Sequence, residues 1–497
     1  MLNANQTDSF KDYLGKFLFI LSLLTLGLMV FLIIQKPFMH IDEWFTKGLL
    51  TLPFRDMVHV TAGDVHPPLY YATVWAPVKI LNLLHIKFDK MIVMKMMSVL
   101  PYVILCIISY IKIRKDYGWL ACGLFTFTLL AMSSFFTVFS IARMYPLGVL
   151  LLVCGFIAAG DILKEPNLKS WVILTVTAIM GAYTHYFVAF SFIVLYMLLF
   201  IHIILNNRSQ LKNWISSAVY GIICFIPWMF TLYKQMIEDK GGAWTNAVSM
   251  NDIFEFFSSV FGGSADNMIQ LIGALIFLAV LIYVLIQYKK SPKENEVVLM
   301  GFLVLVGTVL SGIIAAVLFR TTADRYLIPA TAVLWLSISI LISRINIRKL
   351  IIPIVLVILL FGAVNVYGQV DDIVQNHEKL VKDQEFLKSI NNNDTVVIIT
   401  SKVKFVHFYN ELQNATVYED FTINHREGAR DWASIYDDKT SKFLIPDDYN
   451  YYKNQNKTIY IAYRDDGHKI DLPYGYSLKS VDRVENCQFS KLVRSGS

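Results

Sequence analysis

Apolar runs of about 20 residues recur along most of this chain, and they limit its fold more than any other sequence feature. A helix of about 20 apolar residues is long enough to cross the hydrocarbon core of a bilayer. The runs that could span are residues 14–35, 91–111, 119–139, 145–163, 171–187, 188–205, 214–233, 268–288, 297–319, 326–344 and 350–368. The sequence therefore predicts a polytopic α-helical membrane protein with about eleven transmembrane helices.

The composition agrees with this prediction. Hydrophobic residues make up 56% of the 497 residues and charged residues 16%, whereas soluble globular proteins average about 45–50% apolar and about 25% charged residues. The five cysteines show neither a metal-ligand spacing nor a disulfide framework. An ordinary soluble enzyme, a disordered protein and a secreted disulfide scaffold are excluded.

The basic residues predict the orientation of the chain in the membrane. We place the N-terminus in the cytoplasm and treat the short, proline-containing run 67–84 as an interfacial helix. Every cytoplasmic loop is then basic, as the positive-inside rule requires; these loops are 112–115, 164–169, 208–212, 289–293 and 344–349. If residues 67–84 formed a transmembrane helix, most of these basic loops would lie on the extracytoplasmic side. The first apolar run is followed by no small-residue cleavage site and is expected to be a retained span.

The composition changes after residue 368. Short β-rich pieces occur at 395–399 and 458–463, and helix-like stretches occur at 376–390 and 402–412. These features predict a small extracytoplasmic α/β domain at 369–497, following a transmembrane domain at 1–368. The domain has no nucleotide-binding glycine motif, so nucleotide-sugar chemistry is not expected there.

Titratable residues gather in the predicted outer loop that follows the first span. Asp42 and Glu43 lie near its start, and Asp64 and His66 precede a double proline. Taken singly, the acidic pair could cap a helix and the prolines could begin one. Their concentration on one outer loop favours a functional site.

The segment 64–71, DVHPPLYY, together with the preceding acidic pair, resembles the GT-C glycosyltransferases. Among these enzymes, the sequence most resembles family 39, of the protein O-mannosyltransferase and aminoarabinose transferase type. Segments 143–147 (RMYPL) and 325–329 (RYLIP) look like recurring elements of bacterial members. The resemblance covers about residues 14–345 and does not extend to the C-terminal domain.

The resemblance implies an inverting transfer of a monosaccharide from a polyprenyl-phosphate donor to an extracytoplasmic acceptor. The acceptor could be a cell-wall polymer, a lipid or a protein. The sequence identifies neither the acceptor nor the sugar. The implied location is the bacterial plasma membrane, with the site on the outer face. The implied partners are the lipid-linked donor, membrane lipid and the acceptor; no nucleic-acid partner is expected.

Roles for individual residues also follow from the resemblance. Asp42 would accept the acceptor's proton. Glu43 would assist in positioning or would exchange roles with Asp42, and Asp64 would orient the acceptor or a cation. His66, Arg143 and Arg325 would bind the lipid phosphate, with the charge state of His66 open because some members have lysine there. Further candidates for the phosphate are Tyr145, Arg320 and Tyr326. The alternative for the arginines is interfacial snorkelling.

Other candidate residues have simpler interpretations. No cofactor is assigned; if a divalent cation is required, Asp42, Asp64 and His66 would be its ligands. His185 and Tyr186 are expected to belong to an aromatic belt, with a position lining the site as the alternative. Trp244 is expected to be an interfacial anchor rather than a sugar-stacking residue.

Three other classes of membrane protein compete with a glycosyltransferase. A transporter or flippase would place ionisable residues near the middle of its spans, whereas acidic residues are almost absent from these spans. A membrane anchor for the C-terminal domain would leave the outer carboxylates without a role. A polysaccharide polymerase or ligase would lack the segment 64–71.

Overall fold

The computed structural model describes two compact units. The described residues are 4–132, 134–238, 260, 267–319, 324–399, 407–409, 411–419, 457–464, 472, 475–484 and 487–494. Unit 1 comprises Met1–Gln35 and Val65–Asp371, and unit 2 comprises Lys36–Asp64 and Asp372–Ser497. Unit 2 therefore includes a segment, 36–64, that the sequence-based division assigns to the transmembrane domain.

The helices follow the apolar runs of the sequence. They are α1 Ala4–Gln35, α2 Ile41–Leu49, α3 Phe54–Ala62, α4 Leu69–Leu83, α5 Lys90–Ile108, α6 Arg114–Ala131, α7 Phe135–Ser140, α8 Tyr145–Lys164, α9 Leu168–Ala182, α10 Tyr186–Asn206, α11 Leu211–Glu238, α12 Asn267–Lys290, α13 Pro292–Phe319, α14 Ile328–Ser343 and α15 Arg348–Ile390. A π-helical turn, Ser109–Ile113, joins α5 to α6, and short 3₁₀ helices are Arg208–Gln210 and Asp324–Leu327.

Within the described residues, nine helical stretches are long and apolar enough to cross a membrane. One of them, Lys90–Ala131, contains α5, the π-helical turn and α6, and the backbone is non-helical at Gly118 within α6 (φ 86°, ψ 173°). The 15-residue α9 is a shorter apolar helix. Every predicted run overlaps one of these helices, so the polytopic helical fold is confirmed. The 15-residue α4 is not among the nine stretches, which agrees with an interfacial role for 67–84.

Helices α1 and α6 approach closely through glycine. A Cβ atom added to Gly123 would fall on the carbonyl of Gly15, and one added to Gly15 would fall on the backbone of Trp119. Further along the same pair, Ser22 Oγ donates to Thr126 Oγ1 at 3.2 Å. Small residues and hydroxyl hydrogen bonds are the usual means by which membrane helices pack, because burial from lipid supplies little hydrophobic driving force.

Unit 2 contains a five-stranded mixed sheet. Its strands are β1 Thr395–Ile399, β2 Thr416–Glu419, β3 Thr458–Arg464, β4 Tyr476–Val484 and β5 Cys487–Arg494. The order is β2-β1-β3-β5-β4; β1 runs parallel to β2 and β3, and β5 runs antiparallel to β3 and β4. Apolar residues are buried on both faces of the sheet. The predicted small α/β domain is confirmed.

The predicted pieces of this domain correspond to β1, β3 and the end of α15. The helix predicted at 402–412 is described only at 407–409, which is helical, and at 411 and 412. The rest of that stretch lies outside the described residues.

Candidate functional site

Four aromatic or imidazole rings meet in unit 1. The His185 ring lies 4.9 Å from that of Tyr326, 5.5 Å from that of His66 and 5.6 Å from that of Tyr145, measured between ring centroids. His66, His185 and Tyr145 are buried. We call these four residues the ring cluster. Three of its members, His66, Tyr145 and Tyr326, are sequence-predicted phosphate ligands, and the structure brings them together.

Each member of the ring cluster stands at the N-terminal end of a helix. His66 precedes α4, Tyr145 begins α8, His185 precedes α10, and Tyr326 precedes α14. The first turn of a helix presents free backbone N–H groups and a partial positive charge, so it favours an anion. Four such ends in one place make a setting suited to a phosphate group.

A backbone hydrogen bond joins two of these helix starts. Leu69 N, at the first residue of α4, donates to the carbonyl oxygen of Tyr183 at 3.0 Å. In the same turn, Phe187 N donates to His185 Nδ1 at 3.2 Å and so caps α10. Because Nδ1 accepts this bond, the neutral His185 ring carries its proton on Nε2.

Cationic side chains accompany the ring cluster. Arg143 is 4% exposed and donates from Nη1 to Tyr71 Oη at 3.3 Å. Arg325 is exposed, and its guanidinium carbon lies 6.0 Å from the centroid of the Tyr326 ring. A side chain as buried as Arg143 does not reach a lipid headgroup at the protein surface, so snorkelling does not describe it.

Burial lowers the pKa of His185 well below its usual value, and the positive potential of His66, Arg143 and Arg325 acts in the same direction. His185 lies in the turn between α9 and α10. It is therefore neutral at pH 7 and offers Nε2–H as a hydrogen-bond donor rather than a full charge.

Lys95, in α5, is a second buried cation of unit 1 and was not selected from the sequence. Its side chain is 2% exposed, and Nζ donates to the carbonyl oxygen of Ser140 at 3.1 Å. One turn further along α5, Ser98 Oγ hydrogen-bonds to Tyr70 Oη at 3.2 Å. A lysine inside an apolar run is the signal that could have identified it, since ionisable residues within spans are rare and usually functional.

The predicted carboxylates all belong to unit 2. Glu43 is buried, and its Oε2 accepts from His40 N at 2.7 Å, which caps the start of α2. Glu43 therefore makes the capping contact that its position in the sequence allows. The Asp42 side chain is 18% exposed, with Oδ2 at 3.8 Å from His40 Nδ1. Asp64 is buried just after α3, and its backbone N donates to Thr61 O at 3.0 Å.

The remaining sequence-based candidates have mixed outcomes. His185 is buried inside the ring cluster, so the expectation of an aromatic belt is wrong for it. Tyr186 packs within the helices, donating to Gln235 Oε1 at 2.5 Å and accepting from Trp228 Nε1 at 2.9 Å. Arg320 and Trp244 lie outside the described residues.

The predicted cation ligands form no complete site. Within the described part of the chain, no three histidine, cysteine or acidic residues come together in an arrangement that could hold a metal ion. We therefore derive no chemistry through a metal.

Comparison with solved structures identifies the fold. The crystal structure of ArnT from Cupriavidus metallidurans bound to undecaprenyl phosphate superposes with a TM-score of 0.59 at 10% sequence identity, covering 96% of this chain and 97% of that chain. The chain has the GT-C fold. The apo structure of the same ArnT gives a TM-score of 0.55 at 11% identity, covering 86% and 87% of the two chains.

The structural comparison confirms the GT-C fold that the sequence resemblance implies. No protein-family model and no curated protein matches the sequence. Membership of family 39 stays a prediction from the motif at 64–71. The GT-C fold with nine candidate spans makes this chain a multi-pass membrane protein.

Proposed function

We propose that this chain is a glycosyltransferase that uses a polyprenyl-phosphate-linked monosaccharide as donor. The observation that carries the proposal is the buried Arg143 together with the ring cluster at four helix N-termini, in a fold that binds undecaprenyl phosphate in ArnT. The sequence resemblance to GT-C enzymes supports the same function independently.

The ring cluster and its cations would bind the phosphate of the donor. As the bond to the sugar breaks, negative charge accumulates on the departing polyprenyl phosphate and must be stabilised. Arg143 supplies a fixed positive charge, and its planar guanidinium matches two phosphate oxygens. Neutral His185 would add its Nε2–H as a donor, His66 would add a ring N–H donor, and Arg325 would add a second guanidinium at the exposed edge.

The carboxylates of unit 2 would act on the acceptor. In an inverting transfer, the acceptor oxygen attacks the anomeric carbon, the bond to phosphate breaks, and the acceptor's proton must leave. We assign that proton to Asp42, whose side chain is partly accessible. Asp64 would orient the acceptor, and Glu43 would hold α2 in shape.

The proposal includes a location and an acceptor class. The basic loops support a cytoplasmic N-terminus, which puts the ring cluster and unit 2 on the extracytoplasmic face of a bacterial plasma membrane. The acceptor is then a cell-wall polymer, a lipid or a protein outside the cell. The transferred group is a hexose, a pentose or a derivative of one.

The experiment is to incubate the purified full-length protein with a panel of radiolabelled undecaprenyl-phosphate sugars. We expect slow hydrolysis of at least one donor, and faster loss when cell-envelope extract supplies an acceptor. Release from no donor, combined with uptake of a solute into vesicles containing the protein, would replace this proposal with the transporter alternative.

A further inference from the structure

Within unit 2, the C-terminal part of the chain holds segment 36–64 at two points. His377, in α15, lies with Nδ1 at 2.7 Å from the carbonyl oxygen of Pro37. A carbonyl only accepts, so His377 Nδ1 donates this bond. His407 stacks on Trp44, with ring centroids 4.3 Å apart and an interplanar angle of 21°.

The stack of Trp44 and His407 is buried. Trp44 is 3% exposed and His407 is fully buried. Lys47 Nζ lies 4.4 Å from the centroid of the Trp44 ring, one helical turn along α2. Large rings that are desolvated and in contact contribute strongly to packing, so this stack contributes to fixing α2 within unit 2.

Helix α2 depends on such contacts for its position. It has nine residues, and isolated helices of this length are marginal in water, so tertiary packing must supply most of their stability. Trp44 and Asp42 are two residues apart and point to nearly opposite sides of the helix. Fixing Trp44 against His407 therefore turns Asp42 to the side of α2 opposite His407.

We propose that His407 is a positioning residue through which the C-terminal domain sets the location of Asp42. This inference rests on the proposed function, in which Asp42 accepts the acceptor's proton. Trp44 and His407 both belong to unit 2, whereas the proposed phosphate ligands belong to unit 1. Loss of the stack should therefore lower turnover and leave the affinity for the donor lipid unchanged.

The test compares two variants of His407 in the full-length protein. His407→Ala removes the ring, and His407→Phe keeps an aromatic ring that can stack. We expect His407→Ala to lower the turnover of the active donor ~10- to 100-fold, because small displacements of a reacting group have effects of this size. The dissociation constant for undecaprenyl phosphate should stay within about twofold of wild type, and His407→Phe should restore turnover to within about threefold.

A core variant serves as the control for domain stability. Phe489, in β5, packs on Phe408 and Phe386 in the core of the sheet domain. Phe489→Leu loosens this core without removing the stack, and should turn over like wild type. Equal losses in Phe489→Leu and His407→Ala would overturn the inference, as would wild-type turnover in His407→Ala.

Hydrogen exchange separates this inference from the proposed function. Backbone amides of residues 41–49 should exchange ~10-fold faster in His407→Ala and at the wild-type rate in His407→Phe, because opening of α2 no longer has to break the stack. If the wild type releases sugar from no donor, the proposed function fails. Amide hydrogen exchange then remains as the test of whether the stack of Trp44 and His407 holds α2. Unchanged exchange in His407→Ala overturns it.

Discussion

The ring of His66 lies 5.5 Å from the ring of His185, although one precedes α4 and the other precedes α10. The hydrogen bond from Leu69 N to Tyr183 O sets this proximity, because it joins the start of α4 to the turn before α10. Both imidazoles are buried beside Arg143 and Tyr326 in a region rich in positive potential. Such a region favours the binding of an anion, and each prediction about donor binding starts from that point.

Asp42→Asn should abolish transfer and spare donor binding. The amide cannot take a proton, and loss of a general base costs about 100- to 10,000-fold in rate. The dissociation constant for undecaprenyl phosphate should be within about twofold of wild type, since the variant leaves the ring cluster unchanged. Asp56→Asn, an exposed carboxylate in α3, is the matched control. Wild-type turnover in Asp42→Asn would remove the assigned base.

Arg143→Gln should weaken the binding of undecaprenyl phosphate by ~10- to 100-fold, the range expected for a charge-assisted hydrogen bond. Arg143→Lys keeps the charge but lacks the planar guanidinium. Its affinity for undecaprenyl phosphate should lie between those of Arg143→Gln and wild type. Arg208→Gln removes one positive charge from a predicted cytoplasmic loop and should bind like wild type. Tight binding by the glutamine variant would show that the phosphate lies elsewhere.

The protein should lose stability as the pH falls below about 6.5, the usual pKa of histidine. His185 has a lowered pKa in the fold, so below that pH the unfolded chain binds a proton that the folded protein excludes. One such group costs at most about 1.4 kcal/mol per pH unit, or ~2 kcal/mol between pH 6.5 and pH 5. Melting curves at pH 7.5 and pH 5 should therefore differ less for His185→Gln than for wild type.

The control for this pH dependence is His59, which is exposed in α3. His59→Gln should keep the wild-type difference between the two melting curves. If His185→Gln also keeps the wild-type difference between the two melting curves, a group other than His185 causes the loss of stability in acid.

Gly123→Ala should destabilise the helical bundle by ~1–3 kcal/mol, the usual cost of overpacking. The added methyl group would fall on the carbonyl of Gly15, a backbone group that cannot rotate away. Gly27, also in α1, has no atom within 4 Å of an added Cβ, so Gly27→Ala should melt like wild type or slightly higher. Thermal unfolding in detergent measures both, and equal melting temperatures would contradict the close approach.

The predicted orientation can be measured with cysteine labelling. In a background where the exposed Cys224 is replaced by serine, Asn393→Cys probes unit 2 and Ser209→Cys probes a predicted cytoplasmic loop; both positions are exposed. A membrane-impermeant maleimide should label residue 393 in intact spheroplasts and residue 209 only after lysis, because the basic loops face the cytoplasm. The reverse pattern would invert the topology.

The sequence predicts the membrane helices well because hydrophobicity alone determines which segments enter a bilayer. It also predicts β1 and β3, which are continuous apolar runs. Strand β4 escapes prediction because most of its residues are exposed, so it carries no alternating pattern of apolar and polar residues.

The site is predicted in part. Tyr145, Tyr326 and His66 could be selected from motifs, whereas His185 could not, because its importance lies in a contact with residues distant in sequence. Glu43 illustrates the opposite difficulty. A carboxylate three residues after His40 is equally consistent with a cap and with a catalytic acid, and the sequence does not reveal the hydrogen bond to His40 N that the structure contains.

The two halves of unit 2 are made at very different times. Pro37 and its partner His377 are 340 residues apart, and β5, which lies between β3 and β4, is the last strand in chain order. During synthesis, α2 and α3 emerge long before the residues that hold them. Until translation has passed residue 494, a nascent chain has its membrane helices but no finished support for Asp42, so the proposed activity is expected only after the sheet of unit 2 is complete.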